Sequence, residues 1–132
     1  MGTSIAPLAN VRVGVTGAAG FLGSHLIRRL VRGKFQVEWA LDSLRPSYGG
    51  DFCSRRLRAF SPQTNLLVEN LATQSIDNLV ASMPELDAIV HLAAMPGVRA
   101  GENDPDGYFK ANVAGFHNVL LAAERRDVKV VF

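Results

Sequence analysis

Gly17-Ala18-Ala19-Gly20-Phe21-Leu22-Gly23 sets glycine at every third position, directly after the apolar run Val11-Arg12-Val13-Gly14-Val15 and directly before apolar residues at helical spacing. Glycines also mark ordinary turns, so the spacing alone is a weak signal. Between a strand and a helix each glycine acquires its own physical reason. Gly17 can make a tight turn, Gly20 can let backbone approach a pyrophosphate, and Gly23 can let helix pack against strand. A helix that begins near Gly20 offers unpaired N–H groups and the positive end of its dipole, which suits the two phosphates of a dinucleotide. A mononucleotide P-loop would need Gly-Lys-Ser/Thr at its end, and Gly23-Ser24-His25 lacks the lysine.

Asp42 follows Gly23 by 19 residues, at the end of a second apolar run. A carboxylate there can accept hydrogen bonds from the adenosine ribose hydroxyls, whereas a 2′-phosphate would meet like charge. NAD is therefore expected over NADP, with Arg45 near enough in sequence to soften the repulsion. The alternative is a solvated turn aspartate.

These residues need a scaffold, and the apolar pattern supplies one. Val11–Val15 reads as a strand, and Phe21, Leu22, Leu26, Ile27, Leu30 and Val31 mark a helix that Gly33 is placed to end. Phe35–Leu41 is a second strand. The stretch from Asp42 to Pro62 is irregular, with room for one short helix, and Leu66–Val68 is a third strand. Ile76, Leu79 and Val80 suggest a short helix that stops near Pro84, before a fourth strand at Ala88–Leu92. Pro105 can open a long helix that carries Tyr108, Phe109, Asn112, Val113, Phe116, Val119, Leu120 and Ala123 on or near one face. A fifth strand starts at Val128. Alternating strands and helices predict an α/β fold, a Rossmann-like doubly wound parallel sheet of about five strands, incomplete at its end.

Composition narrows the partners. With 132 residues, 48% hydrophobic and 20% charged, one domain with one core is expected. We expect residues 1–10 to be an extension and residues 11–132 the dinucleotide-binding unit. A net charge of +2, from 14 basic and 12 acidic residues, is too small to imply a nucleic-acid partner. The cluster Arg55-Arg56-Leu57-Arg58 is either a solvated helix face or a contact to an anionic ligand. Cys53 is the only cysteine, with no second ligand at metal spacing, so no disulfide and no metal are expected. No signal peptide or membrane-length apolar run is evident, which makes cytoplasm the expected compartment. His91 ends an apolar strand, where a lone histidine is more often a satisfied core group than a catalyst.

The order of these motifs resembles the extended short-chain dehydrogenase/reductase family, among its NAD-dependent nucleotide-sugar epimerases and dehydratases. The likeness rests on Val15–Leu26, on Leu41-Asp42-Ser43-Leu44, on His91-Leu92-Ala93-Ala94, and on Asn112-Val113-Ala114-Gly115 with Asn118-Val119-Leu120. Val90–Arg99 looks most like the UDP-glucuronate 4-epimerase branch. The resemblance implies a cofactor wall with Phe21 and Leu22 beside the pyrophosphate, Ser43 beside the ribose, and Leu92, Ala93, Ala94 and Met95 toward the nicotinamide. Buried-core roles for the same apolar residues are equally open.

Asn70 and Leu71 are candidate cofactor-binding residues on the resemblance: Asn70 stands where the family has an aspartate that accepts a hydrogen bond from the adenine amino group, and an amide oxygen can accept the same bond. Asn112 resembles a family asparagine that supports the active site; otherwise it is a helix-surface amide. Arg99 follows the fourth strand, where doubly wound sheets place ligands, and is the candidate contact to a UDP-sugar.

In the family a Tyr-x-x-x-Lys pair moves the proton that accompanies hydride transfer. Tyr48 and Tyr108 are followed four places later by Phe52 and Asn112, so the pair is absent from this sequence and no catalytic residue is assigned. The expectation is the NAD-binding, N-terminal part of a nucleotide-sugar 4-epimerase that is homodimeric as a whole. A non-catalytic NAD-binding module, or a dehydratase or reductase of the same family, is the alternative.

Overall fold

In the computed structural model, residues 10–45, 52–57, 60 and 64–132 are described. β1 (Arg12–Thr16) lies in the middle of a five-stranded sheet, between β2 (Gln36–Asp42) and β4 (Ala88–His91), with β3 (Asn65–Val68) and β5 (Lys129–Val131) at the edges. The order is β3-β2-β1-β4-β5, and all four pairings are parallel. The chain fills one half of the sheet with β1 to β3 and then returns beside β1, so the crevice beyond the carboxyl ends of β1 and β4 is the topological switch point. This is the Rossmann-like arrangement expected from the alternation of elements.

Each face of the sheet is covered by helix. On one side α1 (Phe21–Arg32) places Ile27 against Val13, Val15, Val37 and Ala40. On the other, α3 (Ile76–Ser82) and α6 (Gly115–Arg126) bring Leu79, Val119, Ala122 and Ala123 against Trp39, Leu41 and Ile89. Val37 and Trp39 serve opposite faces although they are two residues apart. The register explains this: Val13 pairs with Val37 but Gly14 with Trp39, so Glu38 is an extra residue in β2. A Cβ on Gly14 would come 2.8 Å from Trp39 Cε3, so the glycine makes room for the indole ring.

Helix ends follow local chemistry. Ser75 caps α3 by accepting the Asn78 N–H, and Asp104 caps α5 (Pro105–Phe109) by accepting the Gly107 N–H at 3.0 Å. Gly33 ends α1, yet the left-handed residue there is Lys34, at φ 64°. Left-handed Asp127 ends α6, its N–H reaching the carbonyls of Ala123 and Glu124.

Two features depart from the sequence expectation. Val98–Asn103 forms a short helix, α4, for which the apolar pattern predicts no element. The long helix from Pro105 is an unbroken helical rod in three parts: α5, a π turn at Lys110–Ala114, and α6. Among the described residues no helix is long and apolar enough to cross a membrane.

Ile89 is fully buried at the centre of the larger core, whereas Val131 on the edge strand is 56% exposed. Ile89→Ala should cost about 2–5 kcal/mol in urea unfolding, and Val131→Ala less than about 1 kcal/mol. Equal losses would contradict this assignment of the core.

Candidate functional site

The loop between β1 and α1 is built by close backbone approach. Gly17 takes φ +69°, and a Cβ there would lie 2.7 Å from the Leu92 carbonyl and the Ala93 nitrogen. Its carbonyl accepts the Gly20 N–H at 3.0 Å, while the Ala18 N–H donates to the Leu41 carbonyl at 3.2 Å. A Cβ on Gly23 would collide with the Gly17 carbonyl oxygen, so Gly23 lets α1 close on the loop itself rather than on a strand side chain. Gly20 is the N-cap of α1 and supplies no side-chain cap. The first-turn N–H groups of Phe21, Leu22 and Gly23 therefore retain their donor capacity for a ligand. Phe21 and Leu22 are largely exposed beside them.

Asp42 closes one side of this loop. Its Oδ2 accepts the Ala19 N–H at 2.9 Å and its Oδ1 the Leu44 N–H at 2.8 Å. The carboxylate is half-buried and bonded to backbone at both oxygens, which is unlike a solvated turn aspartate. Each oxygen keeps a further lone pair for a hydroxyl donor. Ser43 beside it is exposed.

The next peptide of the loop, Ala19–Gly20, is held at its carbonyl by Arg56, from α2 (Phe52–Leu57). Its Nη1 donates to the Ala19 carbonyl at 3.2 Å, and its guanidinium carbon lies 5.9 Å from the centroid of the Phe21 ring. The two readings of the basic cluster thus separate by residue. Arg55 is exposed, whereas Arg56 is half-buried against the glycine loop. Arg58 lies outside the described residues. Nothing in the sequence distinguishes Arg56 from its basic neighbours.

The other wall follows β4. The Leu92 N–H donates to the Thr16 carbonyl at 3.1 Å, and the Ala93 N–H to Thr16 Oγ1 at 3.3 Å. Thr16 Oγ1 lies 2.8 Å from His91 Nδ1. His91 stacks on Phe116 with centroids 4.9 Å apart. It is a bonded, partly buried group between β1 and α6, as its position in the sequence suggests.

Asn112 sits within the π turn and holds the next loop with both ends of its amide. Oδ1 accepts the Met95 N–H at 2.7 Å, and Nδ2 donates to the Met95 carbonyl at 3.1 Å. This half-buried amide is a support for the segment after β4, not a surface group.

The structure thus brings Gly17, Gly20, Gly23, Asp42, Leu92 and Ala93 to one crevice, with Met95 and Asn112 behind it. Ala94 is exposed on the same segment. Three candidates stand apart. Arg99 is exposed on α4, outside this hydrogen-bonded set. Asn70 Oδ1 accepts the Ala72 N–H at 3.0 Å in a local turn. The Leu71 side chain lies in the core with Leu79 and Val119, and its carbonyl accepts from Asn118 Nδ2 at 2.8 Å, so it forms no open wall.

The crevice fits a dinucleotide in the two respects that geometry can test. The space where side chains at Gly17 and Gly23 would sit is filled by backbone, which draws the loop tight, and the helix end facing the crevice is uncapped. Among the described residues no group of His, Cys, Asp and Glu could hold a metal ion.

Comparison with known proteins agrees with the geometry. Residues 13–132 match the family described as "NAD dependent epimerase/dehydratase family". The chain belongs to that family. A probable UDP-glucuronate 4-epimerase of Rhizobium meliloti is 33% identical over 117 residues, covering 83% of this chain and 33% of that protein. The UDP-glucose 4-epimerase of Thermus thermophilus, in complex with NAD, aligns with TM-score 0.75 and 28% identity over 92% of this chain and 37% of that one. The dTDP-glucose 4,6-dehydratase DesIV of Streptomyces venezuelae, with NAD bound, gives 0.76 and 29% over 91% and 38%. The chain therefore spans about a third of the length of these relatives.

Burial lowers the pKa of His91 below the ordinary histidine value. Its neutral form is favoured by the fold, so stability is complete above the ordinary value and declines as pH falls through it toward the lower folded value. The urea midpoint should drop between about pH 7 and pH 5, and drop less in His91→Gln. The same drop in both chains would remove His91 as the cause.

Proposed function

We propose that this chain holds NAD in the crevice at the carboxyl ends of β1 and β4, and that it serves a nucleotide-sugar 4-epimerase of the UDP-glucuronate type. One observation carries the reading: the uncapped, glycine-lined N-terminus of α1 stands beside the Asp42 carboxylate, joined to it through Ala19. The first turn of α1 would hold the pyrophosphate through backbone N–H groups, and Asp42 the adenosine ribose hydroxyls. Phe21 and Leu22 would flank the phosphates, with Ser43 beside the ribose and Asn70 facing the adenine through its second lone pair. Leu92, Ala93, Ala94 and Met95 would line the nicotinamide side, held in place by Thr16 and Asn112.

When bound, NAD supplies reversible hydride acceptance at the sugar C4, which is the chemistry an inversion there requires. Arg99 would meet the UDP-sugar. A homodimer is part of this proposal, supported by the exposed stripe of Phe109, Val113 and Leu120 on α5, the π turn and α6. A dehydratase of the same family is the second reading, supported by the dehydratase among the structural neighbours.

Calorimetry with NAD and NADP tests the cofactor assignment. The unmutated chain should prefer NAD. Asp42→Ala should weaken NAD by about tenfold or more, and Asp42→Asn, which retains an acceptor for Ala19, should narrow the preference by removing the charge. A chain that binds neither dinucleotide, or a preference unchanged in both variants, overturns the assignment. With NAD and UDP-glucuronate present, the 132-residue chain should give no turnover, since it contains no Tyr-x-x-x-Lys pair. An epimerised product would show that another group moves the proton.

A further inference from the structure

Arg56 has no role in the function proposed above, yet its position is specific. The glycine loop lacks the lysine that P-loops use, and Asp42 places a carboxylate on the Ala19 N–H. A loop that must hold a doubly anionic pyrophosphate thus carries a negative neighbour. Arg56 stands at the carbonyl of the same residue, in the next peptide unit, its Nη1 3.2 Å from the Ala19 oxygen. The Phe21 ring lies 5.9 Å from its guanidinium carbon, within the range in which an aromatic face attracts a cation. That ring belongs to the first residue of α1, whose backbone N–H is free for a ligand.

From this placement we infer that Arg56 is a cofactor-phosphate ligand, a side-chain clamp on the pyrophosphate held at the N-terminus of α1. The inference rests on the cofactor reading above and extends it to a residue outside the glycine motif. A guanidinium carries five N–H donors in a planar fork. One is used on Ala19, and that bond together with the Phe21 ring orients the others. A fork positioned in this way loses little rotamer freedom when a phosphate oxygen arrives, and charge-assisted bonds of this kind are about twice as strong as neutral ones. Arg56 also offsets the field of Asp42. The carboxylate can then read the ribose without repelling the pyrophosphate beside it. A purely architectural arginine, serving only to tie α2 to the loop, is the competing explanation.

The experiment compares NAD and ADP-ribose, which carry the pyrophosphate, with adenosine, which does not, in titrations of the full chain. Arg56→Gln keeps a donor for the Ala19 carbonyl and removes the charge. It should weaken NAD and ADP-ribose by about tenfold and leave adenosine within about twofold. Unchanged NAD affinity, or an equal loss for all three ligands, overturns the inference, the second outcome being that of an architectural role. If Arg56→Gln does not fold, Arg56→Lys decides the matter. It keeps the charge without the fork, and should lose about threefold for NAD and nothing for adenosine. No loss for NAD, or a parallel loss for adenosine, overturns it there. An unmutated chain that binds no NAD overturns the cofactor reading itself, whereas NAD binding indifferent to Arg56 leaves that reading standing and removes only this one.

Discussion

The site depends on a single steric constraint, the contact of backbone with backbone around Gly17. The Gly17 peptide is pressed against the Leu92–Ala93 peptide on one side and against Gly23 at the start of α1 on the other. Side chains at these positions would force β1, α1 and the segment after β4 apart. The hydrogen bonds follow from that proximity. Ala18 reaches Leu41 on β2, Leu92 and Ala93 reach Thr16, and Ala19 reaches Asp42. Three strands therefore converge on one short loop, and the crevice keeps its shape because its walls share bonds with its floor.

Stabilising groups and ligand-facing groups are segregated along the strands. At the amino end of β1, Arg12 pairs with Glu85 at 2.7 Å, and its backbone N–H donates to Asp87 at 2.7 Å. The Arg12 guanidinium holds the Glu85 carboxyl below its usual range, and the Arg12 backbone N–H, with the guanidinium, does the same for Asp87. These groups are solvent-exposed, so the pairs fix geometry more than they add free energy. At the carboxyl end the polar groups face the crevice, and several have bonding capacity left over. The two ends do different work, and the buried sheet between them keeps their charges apart.

Much of this was legible in the sequence because the relevant constraints are local. The glycines need their neighbours only in the sense that a strand precedes and a helix follows, and Asp42 needs only to end the second strand. Strand and helix periods therefore gave the element order, and the resemblance placed His91–Ala94 and Asn112. What escaped depends on contacts between distant residues. The extra residue at Glu38 exists because Val37 and Trp39 must serve opposite cores, which no local pattern reveals. Leu71 reads as a cofactor-binding candidate until α6 covers it. Arg56 differs from Arg55 only in which way α2 turns toward the glycine loop. Tyr48, on which no role was placed, lies outside the described residues.

The π turn bears on how such a helix tolerates change. A π turn accommodates one residue more than the α-helical pattern, and one residue corresponds to about 100° of rotation at 3.6 residues per turn. Asn112 faces Met95 from within that turn, while Val119, Ala122 and Ala123 face the core from α6. The rod thus carries two angular phases, reconciled at Lys110–Ala114. A substitution within either phase leaves the other untouched. Removing the extra residue at Lys110–Ala114 would return the rod to plain α-helix with both ends keeping their directions. Removing one from α6 ahead of Val119 would instead turn the amide end against the core end, so spacing along α6 is constrained more tightly than composition.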